Sequence, residues 1–119
     1  MQASLETLKE LYGPFDLDLG GGVFASFTKW SPDRDLNPQY DGIPDIEKCG
    51  LFYIHPRPDG NGYCVGGIHF DGEIHRKVFL EDRSRWQVES FEPLTISPSL
   101  LCKSCNSHGF IKQGKWVKA

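Results

Sequence analysis

One hundred and nineteen residues make one domain around a single modest core, which excludes two-domain schemes. Hydrophobic residues at 39%, among them eight Phe, four Tyr and three Trp, exclude a disordered chain, and 13 Gly with eight Pro favour turns and short strands over a helical bundle. The net charge of −3 conceals a division: residues 1–92 hold all 16 acids against nine Lys/Arg, whereas residues 93–119 hold Lys103, Lys112, Lys115, Lys118 and no acid.

The first dozen residues, MQASLETLKELY, alternate charge with leucine, so they predict neither a signal peptide nor a membrane span, and the protein is expected in the cytoplasm. Leu5, Leu8, Leu11 and Tyr12 recur at helical steps after Ser4, a good N-cap, and Gly13-Pro14 ends the run, which predicts a helix over 4–12. Little other helix is expected. Gly20-Gly21-Gly22 lead into a predicted strand at 22–30, GVFASFTKW, and act as a turn, since no phosphate-loop context follows them. Residues 31–48, with three prolines and five acids, predict a long loop whose aspartates cap turns; the spacing lacks the glycine and terminal glutamate of a calcium loop.

CGLFYIH at 49–55, a Pro-Asp-Gly-Asn-Gly turn at 58–62 and YCVGGIHF at 63–70 then predict a meander of hairpins. Asp71-Gly72 followed by EIHRKVFL predicts one more hairpin, with Phe70 opposite Glu73, His69 opposite Ile74 and Ile68 opposite His75. That register places His69 and His75 on opposite faces unless a bulge occurs at Gly66-Gly67. Short strands follow at 85–90 and 93–96, and 108–117 reads as a hairpin turning at Gln113-Gly114. The expected fold class is mainly β, a small α+β domain of antiparallel hairpins with one N-terminal helix and a C-terminal zinc knuckle.

Four thiols in a reducing compartment favour a metal site or buried thiols over disulfides. The segment LCKSCNSHGF offers Cys102, Cys105 and His108, and a Cys-x-x-Cys knuckle lets two sulfurs grip one zinc ion. Such a knuckle needs a left-handed residue after its second cysteine, and Asn106 tolerates that conformation. A redox pair is the competing reading, but no βαβ pattern surrounds the motif. Cys64, about 40 residues upstream, is the first choice for the fourth ligand, with His55, His69, His75 and Cys49 as rivals; Cys49 could also replace His108, leaving a surface imidazole. The predicted metal ligands are therefore Cys64, Cys102, Cys105 and His108, with Zn2+ as cofactor and Cys49 left as a buried thiol.

The final third of the chain sets out Trp86, Ser97-Pro98-Ser99-Leu100, Cys105 with Ser107-His108, Ile111 and Trp116 in order. In these residues it resembles the C-terminal half of an uncharacterised family of small bacterial and phage proteins, some encoded beside prokaryotic ubiquitin-like, E1-like and E2-like genes. The resemblance implies retained metal binding with a shifted ligand set, because those members lack Cys102 and carry a compact cysteine-rich stretch before the Trp. The upstream half, with its acidic loop and HPRPDG turn, looks more like the phage-encoded branch.

Two function classes follow. The first is a non-catalytic zinc-stabilised β domain, a phage or prophage accessory or structural component in the host cytoplasm or on the virion, contacting a phage or host protein through loop 31–48 and its aromatics. The alternative is a zinc-dependent hydrolase, a peptidase acting on a ubiquitin-like tail with zinc-bound water and Glu73, Glu89 or Glu92 as base. Nucleic-acid binding through the basic tail, with Phe110 and Trp116 as stacking partners, is a lesser option, since four dispersed lysines fall short of a polybasic stripe.

Overall fold

A computed structural model describes residues 4–79 and 85–119. It is mainly β, as the turn-rich composition predicts. Helix α1, Leu5–Tyr12, begins where the Ser4 side chain accepts the Thr7 N–H and ends where the Gly13 N–H donates to the Lys9 carbonyl. Of its expected apolar face only Leu8 is fully buried; Leu11 stays exposed, and the Tyr12 ring packs at a tilt against Phe52 with ring centroids 4.7 Å apart.

Strands β1 (Leu17–Gly20), β2 (Val23–Trp30), β3 (Ile46–Pro56), β4 (Tyr63–Phe70), β5 (Arg85–Phe91) and β6 (Leu94–Ser97) form one sheet in chain order. All neighbouring pairs are antiparallel except β4 and β5, which run parallel through His69↔Arg85 and Phe70↔Trp86. A second sheet holds β7 (Leu100–Leu101), β8 (His108–Lys112) and β9 (Lys115–Lys118) in that order. Gln113 and Gly114, both at positive φ, make the tight turn between β8 and β9. The main core draws Leu19, Ala25, Leu51, Ile68, Phe70, Leu94 and Ile96 from the large sheet and Leu100 and Ile111 from the small one, so the two sheets share one apolar interior.

The hairpin expected at Asp71-Gly72 does not form. Residues Glu73–Val78 are a second helix, α2, and β4 meets β5 instead. A two-residue hairpin turn needs positive φ at its centre, but Gly72 is extended at φ 175°, the Asp71 N–H donates to the Trp86 carbonyl, and the Asp71 carboxylate is taken up by Arg76. Ile74 and Val78, four apart, give α2 a helical stripe, and both join Ile46, Cys49, Trp30 and Phe79 in a smaller apolar cluster. The expected Phe70–Glu73, His69–Ile74 and Ile68–His75 pairings are thereby lost, and on that edge His69 and Phe70 pair with Arg85 and Trp86. The rest of the predicted 73–80 strand, at residue 80, lies outside the described residues.

Loop 31–45 is ordered by its own polar groups. Asp33 accepts the Asp35 and Leu36 N–H groups, and Asp45 accepts from Ser31 and Arg34. The Arg34 bond, followed by that of Ser31, holds the Asp45 carboxyl below its ordinary range. A 3-10 turn at Pro38–Tyr40 places Tyr40 edge-on against Trp30.

Candidate functional site

The Pro-Asp-Gly-Asn-Gly turn sets the geometry of the first site. It closes with the Arg57 N–H on the Gly62 carbonyl, so β3 and β4 run back from it in register with Pro56 opposite Tyr63 and His55 opposite Cys64. Cross-strand partners share a face, which brings the imidazole and the thiol together. The second half of the site is the 102–107 loop, where the Cys102 N–H donates to the Ser107 carbonyl and the Asn106 N–H to the Cys102 carbonyl. Asn106 adopts φ 63°, the left-handed conformation required after the second cysteine of a knuckle.

Together these elements place ligand atoms of His55, Cys64, Cys102 and Cys105 all within 4.8 Å of one another. His55 Nδ1 is 4.0 Å from Cys105 Sγ, and its buried Nε2 has no hydrogen-bond partner among the described residues. Three thiols and an unsatisfied imidazole within this distance make a zinc-type donor set and are compatible with metal binding. The electrostatics describe a site crowded with acceptors. Burial, then the neighbouring thiols, push the Tyr53 hydroxyl up to about 12, and burial pushes the Cys105 thiol up to about 11. At Cys102 burial acts upward but is outweighed by the Cys105 and Ser104 backbone donors and the adjacent thiols, so the net shift is downward. Burial lowers His55, and Arg57 Nη1 donates to Cys64 Sγ at 3.2 Å, a charge-assisted bond suited to a thiolate.

Three of the four expected ligands, Cys64, Cys102 and Cys105, thus lie together. His108 lies outside this group, and His55 stands in the fourth place. His69 and His75 pack instead against Phe79, at centroid distances of 4.8 and 6.4 Å, while Cys49 is buried beside the Thr28 hydroxyl. Glu73, Glu89 and Glu92 are exposed and contribute nothing to the cluster. Counting outward from the expected 58–62 turn pairs His55 with Val65; the turn closes instead at Arg57–Gly62, which moves the register by one residue and sets His55 opposite Cys64, whereas the Cys-x-x-Cys-x-x-His spacing points to His108.

His108 has a different partner. Its Nε2 lies 2.8 Å from Ser99 Oγ. Strand β7 pairs with β8 through Leu100↔Gly109 and Leu101↔His108, so Leu100 and Gly109 face the core while Leu101 and His108 face outward, and Ser99 is two residues before Leu101 on that outer side. Trp86 in β5 anchors the backbone there by donating its indole N–H to the Ser99 carbonyl at 3.2 Å. Gly109 is bare because the Trp116 ring covers it: a Cβ would sit 2.4 Å from Trp116 Cζ2. Among the described residues no carboxylate reaches His108, so serine and imidazole form a pair rather than a triad. A cleft of about 510 Å3 is bordered by His108 and, from the other constellation, by His55, with Pro58, Asn106 and Trp116 between them; Ser99 is not part of its lining. A serine hydroxyl within hydrogen-bond reach of a histidine nitrogen is the arrangement from which nucleophilic acyl transfer starts.

The model of one protein family, described as bacterial ubiquitination-like system serine protease (BubE), matches residues 52–119, more than half of the chain. The chain belongs to this family. The matched region contains every residue of both constellations, from His55 to His108. Neither the curated proteins nor the solved structures yielded a match. Of the two function classes, the family favours the hydrolase linked to a ubiquitin-like system over the phage accessory domain, and no helix among the described residues is long and apolar enough to cross a membrane.

Proposed function

We propose that the protein is a serine protease of a ubiquitination-like system, acting on the tail of a ubiquitin-like protein with Ser99 as nucleophile and His108 as general base. The observation that carries this reading is the 2.8 Å contact between Ser99 Oγ and His108 Nε2 inside the region matched by a serine protease family. Ser99 Oγ attacks the scissile carbonyl carbon as its proton passes to His108 Nε2, and a new C–O bond forms. The C–N bond then breaks, the amine leaves with the proton returned from His108, and the acyl group stays esterified to Ser99. Water, deprotonated by the same imidazole, cleaves the ester to release a carboxylate and restore the hydroxyl. For Nε2 to accept, the ring proton resides on Nδ1, and the exposed imidazole leaves that N–H to solvent.

The thiol cluster serves the fold in this reading. Zn2+ is the ion that three thiolates and one imidazole suit best, and four protein ligands would leave no position for a reactive water. Such a site ties the β3–β4 hairpin to the 102–107 loop, which connects β7, the strand that Ser99 precedes, to β8, the strand that His108 opens. Structural sites of this type supply folding free energy, which a core of this size needs.

The test is turnover of a fluorophore-tagged ubiquitin-like tail. Ser99→Ala and His108→Gln should each lower kcat by on the order of 10³-fold or more while leaving metal content unchanged. Undiminished cleavage by Ser99→Ala would refute the assignment.

A further inference from the structure

The register of the small sheet places more than the reactive pair on its outer face. Leu101 pairs with His108 and Phe110 pairs with Val117, so Ser99, Leu101, His108, Phe110 and Val117 share one side, opposite the core-facing Leu100, Gly109 and Ile111. Leu101 is 54% exposed and Val117 42%, while the Phe110 ring lies 6.2 Å from the His108 ring. Two large aliphatic side chains held in water beside a reactive pair call for a partner. Lys112 and Lys115, paired across the end of the same hairpin, share this face, and Lys112 Nζ lies 4.7 Å over the Phe110 ring. No acid occurs in residues 93–119, and among the described residues neither lysine forms an ion pair.

We infer that this face is the substrate-docking surface, and that it receives an extended polypeptide segment whose apolar side chains cover Leu101, Phe110 and Val117 and whose flanking acids meet Lys112 and Lys115. The inference rests on the protease reading for the direction in which the segment is presented to Ser99. The rest of its support is the apolar strip, the two lysines that form no ion pair among the described residues, and the continuity of both with the pair. The cations favour acidic flanks through complementarity, and the strip excludes a uniformly polar segment.

The experiment measures binding, so that it stands apart from catalysis. Metal-loaded Ser99→Ala protein is titrated against three fluorescein-labelled decapeptides: an apolar centre with glutamate flanks, the same centre with lysine flanks, and a Gly-Ser centre with glutamate flanks. The first should bind at least tenfold more tightly than either other. Leu101→Glu with Val117→Glu should remove that preference, and Lys112→Glu with Lys115→Glu should reverse the order of the first two peptides. The lysine variant keeps the test decisive even if the leucine–valine variant fails to fold. Equal affinity for all three peptides, no binding at millimolar peptide, or a dimer that the glutamate substitutions dissociate would overturn the proposal; the last result would make the strip a contact between copies of this chain. Binding as expected in a protein whose wild-type Ser99 proves inert would leave the docking surface standing and remove the protease reading instead.

Discussion

The two faces of the β7–β8 pair carry opposite chemistry within ten residues. On the inner side, Cys102 and Cys105 meet His55 and Cys64 beside a core in which Leu100 and Ile111 are fully buried. On the outer side a half-buried Ser99 meets an exposed His108. His55 is 1% exposed among thiols and His108 is exposed beside a hydroxyl, so the same side chain is suited to ligation in one setting and to proton transfer in the other. Strand alternation, more than sequence spacing, decides which histidine has which partner: the knuckle that joins the strands delivers its sulfurs to the thiol cluster and leaves its histidine on the outer face.

Separate perturbations should break the two faces separately. The largest effect belongs to the inner face: Cys102→Ser, or chelation of bound metal, should abolish the cooperative thermal transition, because structural zinc sites contribute on the order of 10 kcal/mol or more, comparable to the whole stability of a small domain. Circular dichroism through a thermal ramp reads this, and a metal-stripped protein that melts cooperatively at an unchanged temperature would contradict it. Next is the seam between the faces. Gly109→Ala forces a Cβ against the Trp116 ring and within 2.8 Å of the Val117 carbonyl oxygen, so it should cost about 1–3 kcal/mol and lower the thermal midpoint by several degrees. The smallest effect on stability is expected from Trp86→Phe, which keeps most of the ring and deletes the N–H donated to the Ser99 carbonyl. A lost hydrogen bond of about 1 kcal/mol should lower the midpoint by about 3–5 °C, the lower end of the Gly109→Ala range, while cleavage kcat falls roughly tenfold. Equal kcat in Trp86→Phe and wild type would show that the indole packs without positioning Ser99.

Much of the fold was legible where a turn carried its own chemistry. Ser4 with Gly13 bounded α1, Gln113-Gly114 turned β8 into β9, and Asn106 took the left-handed place after Cys105. What local pattern could not supply was the return of residues 85–91 beside β4 in parallel, since that pairing is set by packing between distant segments. Once β5 occupied that edge, Asp71-Gly72 had no strand to turn toward, and Ile74 with Val78 favoured a helix. The thiol half of the first site was readable because soft ligands at two-residue spacing have few other uses. His55 was a rival among four until the turn closing at Arg57–Gly62 fixed its register, and nothing about Ser99 by itself announces a nucleophile without the strand pairing that puts His108 beside it.

We propose that a closed metal site on one side of β7–β8 and a reactive serine on the other coexist in one molecule. Native mass spectrometry after treatment with a small fluorophosphonate tests this most directly. The predicted result is a species carrying one zinc ion and one phosphonyl group, with the adduct mapped to Ser99 and absent from His108→Gln. Zinc-bound protein that takes up no adduct, or an adduct formed only after the metal is lost, would contradict it.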